Sequence, residues 1–219
     1  MVFYDGGYFK QGQIYFRYKE RRGWINLLEF HRILERYVAA KVTVSPDLIK
    51  VIAAQYYDGR PATKGATSEQ LEKDRDFELA LLNAGITTHY LPLIEGQKVG
   101  NKRDESKPHL MQKGVDVQLA VDVLDLAHAD RYDVAVLVTG DADILPVARR
   151  IASLKRQVLL AYFEFDAWVD DKGFDHRATF VSRALVDAAN WSLDMVRWVN
   201  APASQKEAAA LFIAPPVGG

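Results

Sequence analysis

Hydrophobic and polar positions alternate along the chain between short β-branched runs and longer stretches with helical spacing. Met1 to Tyr4 is an apolar start that runs into Asp5, Gly6 and Gly7, and it predicts a first strand ending in a carboxylate and a tight turn. Ile25 to Ala40 repeats at helical intervals, with Leu28, Ile33, Leu34, Tyr37 and Val38 as expected core positions. Leu48 to Tyr57 reads as the second strand, closed by Asp58 and Gly59. Ser68 to Asn83 reads as a helix stopped at Ala84 and Gly85, and Ile86 to Leu93 as the third strand. A helix over Val115 to His128, an apolar strand over Asp133 to Val138, a helix over Ile144 to Leu154 and a strand over Val158 to Phe163 follow. This alternation with short joints predicts a parallel, doubly wound α/β sheet, three layers deep.

Past Phe163 the pattern weakens. Asp166 to Arg177 is polar with embedded aromatics, and Ser182 to Asn200 is expected to hold one or two closing helices with Trp191 and Trp198 packed inward. Ala201 to Gly219 is rich in Ala and Pro and reads as a mobile tail. The expected organisation is a domain over 1–165, a helical extension over 166–200 and a tail over 201–219. With 219 residues, 49% hydrophobic, the chain can bury one good core. It has no cysteine, which excludes disulfides and thiolate chemistry and accords with a reducing cytosol. Neither a signal peptide nor a long apolar run stands out, so a soluble, cytoplasmic protein that does not enter a membrane is expected. A net charge of −1 leaves any nucleic-acid binding to local patches.

Acids mark the candidate site. Within the helix from Val115, a turn of about 100° per residue groups Gln118, Asp122, Asp125 and Ala129 on a solvated face. Asp116 projects opposite, in line with Leu119, Ala120, Val123 and Ala127, where a carboxylate is costly unless paired or bound to a cation. Its plain alternative is a favourable interaction with the helix dipole. Thr139 and Gly140 end the fourth strand, and Asp141 and Asp143 follow where open α/β sheets place ligand sites. Asp143 is also able to cap the next helix, a role that leaves Asp141 unexplained. Asp58 is a reserve carboxylate, with a turn as its simpler role.

Two stretches carry cations. Gln13 to Gly23 interleaves Tyr and Phe with Arg and Lys, a composition able to stack bases and meet phosphates and equally common in surface loops. Glu95 to Gln112 is a long polar loop with Lys98, Lys102, Arg103, Lys107 and His109, entering the acidic helix through Lys113. Its GQKVGNK fragment lacks the spacing and final Ser or Thr of a phosphate loop, which excludes a nucleoside triphosphatase of that type. The five histidines show no zinc spacing.

Asp5 after the first strand, Lys113-Gly114-Val115-Asp116 at a helix start and Thr139-Gly140-Asp141-Ala142-Asp143 after a buried strand together resemble the NYN domain, specifically its LabA-like (DUF88) branch within the PIN-like nucleases. The similarity spans roughly Met1 to Tyr162. It implies a PIN-like fold and marks Asp5, Asp116, Asp141 and Asp143 as catalytic acids holding Mg²⁺ or Mn²⁺ for phosphodiester cleavage. Many relatives carry an Asn shortly after the first Asp, whereas this chain reads Asp5-Gly6-Gly7-Tyr8. The third motif more often begins with Ser and ends in an aromatic residue, where this chain has Thr139 and Ile144.

The chemistry agrees independently. Carboxylate-held divalent ions activate water and stabilise a leaving oxygen without cysteine or histidine, and hard oxygen ligands favour Mg²⁺ or Mn²⁺. The leading expectation is a metal-dependent ribonuclease with RNA as partner and with Arg103, Lys107, His109, Lys113 and Thr139 as substrate contacts. The four carboxylates should then share one cleft. A non-catalytic nucleic-acid-binding or regulatory module and an acidic α/β phosphatase or phosphotransferase are the alternatives. A homo-oligomer is left open.

Overall fold

A computed structural model describes residues 1–60, 67–92, 94–95, 110–111 and 114–213. Six parallel strands form the central sheet: β1 (Val2–Asp5), β2 (Ala54–Arg60), β3 (Ile86–Pro92), β4 (Val134–Val138), β5 (Gln157–Tyr162) and β6 (Trp191–Asp194). Their spatial order is β6-β5-β4-β1-β2-β3. The chain therefore winds outward from β1 to β3, returns to the other side of β1 and winds outward again. That return makes the gap above β1 and β4 the topological switch point, where ligands bind in such sheets.

The alternation of side chains along β1 defines the two faces. Val2 and Tyr4 lie in one core with Phe9, Phe30 and Leu34, beneath α1 (Gly6–Ile14) and α2 (Leu27–Val42). Phe3 lies in the other with Leu119, Val123 and Ile151, beneath α4 (Val115–His128) and α5 (Leu145–Ser153). α3 (Ser68–Asn83) adds Leu81 to the first core. β4 is buried along Ala135 to Val138 because both its faces are covered, as its unbroken apolar run requires. The three-layer α/β/α arrangement is the one expected.

Several local expectations are corrected. The glycine pair after Asp5 opens α1 rather than a turn, and the aromatic–cationic stretch continues that helix into a π-helical turn over Tyr15–Lys19. Leu28 is exposed, and the core face of α2 uses Leu27, Phe30 and His31 instead. Pro46–Leu48 is a 3₁₀ turn and the second strand begins only at Ala54, with Leu48 and Ile52 in solvent. Asp58 lies inside that strand, not in a turn. Between α6 (Arg183–Ala188) and α7 (Met195–Asn200), Trp191–Asp194 pairs with β5 as an edge strand, so the expected pair of closing helices holds a strand as well. Four residues are too few for periodicity to register. In place of a mobile segment from Ala201, α8 (Gln205–Ala210) buries Ala208, Leu211 joins the core and Phe212–Ile213 pairs with Trp24–Ile25. Among the described residues no helix is long and apolar enough to cross a membrane.

Candidate active site

The site is built on the register of the two central strands. Tyr4 of β1 lies opposite Val138 of β4, so the next residues, Asp5 and Thr139, meet just past that pair on the α4 side. The Thr139 hydroxyl donates to Asp5 Oδ2 (3.1 Å) and accepts from the Asp141 backbone N–H (3.2 Å). Asp141 Oδ1 in turn accepts from the Asp143 N–H (2.9 Å). Asp5 Oδ1 takes the Tyr8 N–H (3.1 Å) and so caps α1. One chain of hydrogen bonds thus ties the end of β1 to the loop after β4.

Asp141, not Asp143, makes the capping bond. It caps the 3₁₀ turn Ala142–Ile144 that precedes α5, which corrects the expected assignment. Asp143 sits inside that turn with its carboxyl exposed. Pro146 occupies the first turn of α5, where its missing N–H costs nothing.

Asp116 lies in the first turn of α4 behind Gly114. It does not point into the apolar face. Leu119, Val123 and Ala127 are buried, but Asp116 is exposed, and the charges it senses lie beyond the end of β4. On the face expected to be solvated, Asp125 and Ala129 are exposed, while Gln118 and Asp122 are half-buried and the Gln118 amide donates to Asp122 Oδ1 (2.7 Å). Val117 and Val121 are exposed as well. The core face of the helix is the one expected, and Asp122 is half-buried near Tyr57 of β2, whose hydroxyl is held well above its usual pKa by burial first and then by Asp122.

Electrostatics join the four acids. Asp5 is pushed up to about 6, by burial first, against the bonds from Tyr8 and Thr139, and with help from Asp116 and Asp141. Asp116 is raised by loss of hydration first and then by Asp141 and Asp143. Among the described residues no three His, Cys, Asp or Glu side chains are gathered tightly enough to hold one ion. The donor chemistry nonetheless fits a hard divalent ion: the groups are carboxylates, and Asp116, Asp141 and Asp143 are exposed. Lys102, Arg103, Lys107, His109 and Lys113 lie outside the described residues.

Close backbone approaches hold this geometry. A Cβ at Gly140 would lie 2.6 Å from the Phe180 carbonyl oxygen and 2.8 Å from the Tyr8 ring, so the strand end is packed from both sides. At Gly6 a Cβ would lie 2.6 Å from both the Tyr56 ring and the Tyr57 carbonyl oxygen. Residues not singled out by sequence complete the support. The Tyr8 hydroxyl donates to the Phe163 carbonyl and accepts from the Phe163 N–H, both at 2.8 Å, fixing α1 to the end of β5. Asp194 ends β6 and caps α7, repeating the device of Asp5: a strand whose last carboxylate starts a helix. Asp58 is buried and spoken for, by Lys10 Nζ (2.8 Å), the Tyr56 hydroxyl (3.0 Å) and the Gly59 N–H (2.8 Å). A Lys spaced to reach a strand carboxylate from a neighbouring helix leaves no sequence signal.

Fold and crevice define a class, the three-layer α/β/α proteins of PIN-like type with acids at the carboxyl ends of the central strands. The NYN domain profile matches residues 1–190, and the chain belongs to that family, within the PIN-like nuclease superfamily. A crystal structure of a protein of unknown function from Vibrio parahaemolyticus RIMD 2210633 is similar at 17% identity and a TM-score of 0.49, over 89% of this chain and 90% of that one. Among curated proteins none matches.

Proposed function

We propose that this protein is a metal-dependent ribonuclease of the LabA-like branch of the NYN family, with Asp5, Asp116, Asp141 and Asp143 as its catalytic acids. The observation that supports it is the position of these acids at the switch point, where Asp5 is held near 6 by burial first and then by the charges of Asp116 and Asp141. Repulsion of that kind costs stability, and a bound cation relieves it. Mg²⁺ or Mn²⁺ held by these carboxylates would supply an activated water and stabilise the leaving oxygen of an in-line displacement. Thr139 orients Asp5 through its hydroxyl, and the capping bond from the Asp143 N–H fixes one oxygen of Asp141. Arg103, Lys107, His109 and Lys113 are proposed to meet the phosphates. The chain is read as acting in the cytoplasm.

Incubation of the full chain with a mixed RNA panel, with Mn²⁺ or with EDTA, tests this. Cleavage should require the ion and fall by at least about a hundredfold in Asp116→Asn and Asp141→Asn, as expected when charge stabilisation at the reacting phosphate is lost. RNA bound without ion-dependent cleavage would favour a non-catalytic binding module. Hydrolysis of a small phosphate ester in place of RNA would favour a phosphatase.

A further inference from the structure

The solvent side of α1 connects the acidic crevice to an aromatic, cationic patch for which cleavage itself has no use. Gly7, Gln11, Ile14 and Tyr18 line that side, and none is charged. Beside it, Gln11 and Ile14 form one wall of a cleft of about 210 Å³ whose other wall holds Trp168, Asp175, His176 and Arg177. Trp168 and His176 stack with ring centroids 4.0 Å apart, and Asp170 Oδ2 holds the His176 Nε2 at 3.0 Å, so this wall is braced. At the far end Tyr18 and Trp24 are 49% and 40% exposed, their rings edge to face at 5.9 Å. The Arg17 guanidinium lies 5.8 Å from both ring centroids. Residues 15–24 carry Arg17, Lys19, Arg21 and Arg22 against Glu20 alone, in a chain whose net charge is −1. Arg21 is pinned by Asp171 and Arg22 by Glu20 and Asn200, whereas Lys19 has no acidic partner among the described residues.

We infer that this stripe is a track for single-stranded nucleic acid, running from the acids past the Trp168–His176 cleft to the Tyr18–Trp24 platform. The inference rests on the nuclease reading for its direction but not for its binding. Exposed rings can stack only bases that are free of a duplex, and local cations favour a polyanion over a protein partner. Gln11 and Asp175 add donors and acceptors for base edges, and Arg177 and Lys19 add phosphate contacts. At about 1.5 Å per residue the α-helical part of the stripe, Gly7 to Ile14, is about 10 Å long, and the π-helical turn carries it on to Tyr18, room for a few nucleotides.

The test is fluorescence anisotropy of a labelled single-stranded RNA of about twelve nucleotides in EDTA, so that no chemistry intervenes. Tyr18→Ala/Trp24→Ala should weaken binding at least about tenfold, as loss of base stacking does. Lys19→Glu and Arg177→Glu should each lower the slope of log K against log salt by about 0.7. Asp125→Asn, at an exposed acid away from the stripe, should bind as tightly as the unaltered chain. Equal binding by the aromatic double variant, with its Tm unchanged, would overturn the track. So would equal affinity for a blunt duplex. No RNA binding by the unaltered chain would also overturn it. Binding through the track without cleavage in Mn²⁺ would leave it standing and remove the nuclease reading instead.

Discussion

Asp5 performs two tasks that pull in opposite directions. As the cap of α1 it stabilises the helix start, and as a half-buried acid facing Asp116 and Asp141 it destabilises the ion-free protein. Its shift from 3.8 to about 6 corresponds to at most about 3 kcal/mol of strain in the charged form. Asp5→Asn keeps an oxygen for the Tyr8 N–H and removes the charge, at the loss of one acceptor for Thr139. The variant should therefore be about 1–2 kcal/mol more stable than the unaltered chain in EDTA at pH 7, read as a higher denaturation midpoint. The gain should vanish as pH falls from about 6 to below 4, where the native carboxyl is protonated as well. His31 titrates with the opposite sign. Burial first, then the N-terminal charge, lowers it from 6.5 to about 4, and its Nε2 pairs with the Tyr4 hydroxyl at 2.8 Å. The unfolded chain takes up this proton first, so stability should fall between pH 6.5 and 4, by up to about 3 kcal/mol. In His31→Gln that acid-side loss should shrink, and a midpoint series over this range measures both effects.

At the scale of elements, the strand–carboxylate–helix unit is what the site repeats, at Asp5 before α1, Asp141 before the turn into α5 and Asp194 before α7. Tyr8 anchors the first unit to β5. Tyr8→Phe leaves a backbone donor and acceptor of Phe163 without their partner, a loss of about 1–3 kcal/mol measured by urea denaturation. Gly140→Ala must displace both the Phe180 backbone and the Tyr8 ring and should cost at least as much, with a larger fall in activity than in stability because Thr139 and Asp141 flank it. These units also show what sequence could reveal. β1 and β4 were legible because both are apolar runs, the first ending in an acid and the second followed by Thr139, Gly140 and Asp141, and α4 because its spacing is regular. The core face of α4 was legible as well, but neither the exposure of Asp116 nor the half-burial of Asp122 was, the latter near Tyr57, a residue far away in sequence. Asp143 looked like the cap because it stands nearest the helix, but the 3₁₀ turn moves the cap back to Asp141. β6 is four residues long and α8 is alanine-rich, so both owe their form to tertiary contacts rather than to pattern.

For the whole molecule, we propose that chain reversal at β1 brings four carboxylates near enough for a divalent ion to draw them into one site. The topology supports it, because only β1 and β4 flank the point where winding changes direction, and Asp5, Thr139, Asp141 and Asp143 come from the ends of those two strands. α4 brings the fourth acid, Asp116, over the same ends. The most direct measurement is Mn²⁺ titration of the full chain by electron paramagnetic resonance, beside its single Asp→Asn variants. Asp5→Asn, Asp116→Asn, Asp141→Asn and Asp143→Asn should each weaken binding by about tenfold or more, as expected when a charged ligand is removed from a hard cation, while Asp122→Asn and Asp125→Asn leave it unchanged. Asp116→Asn binding Mn²⁺ as tightly as the unaltered chain would contradict a shared site.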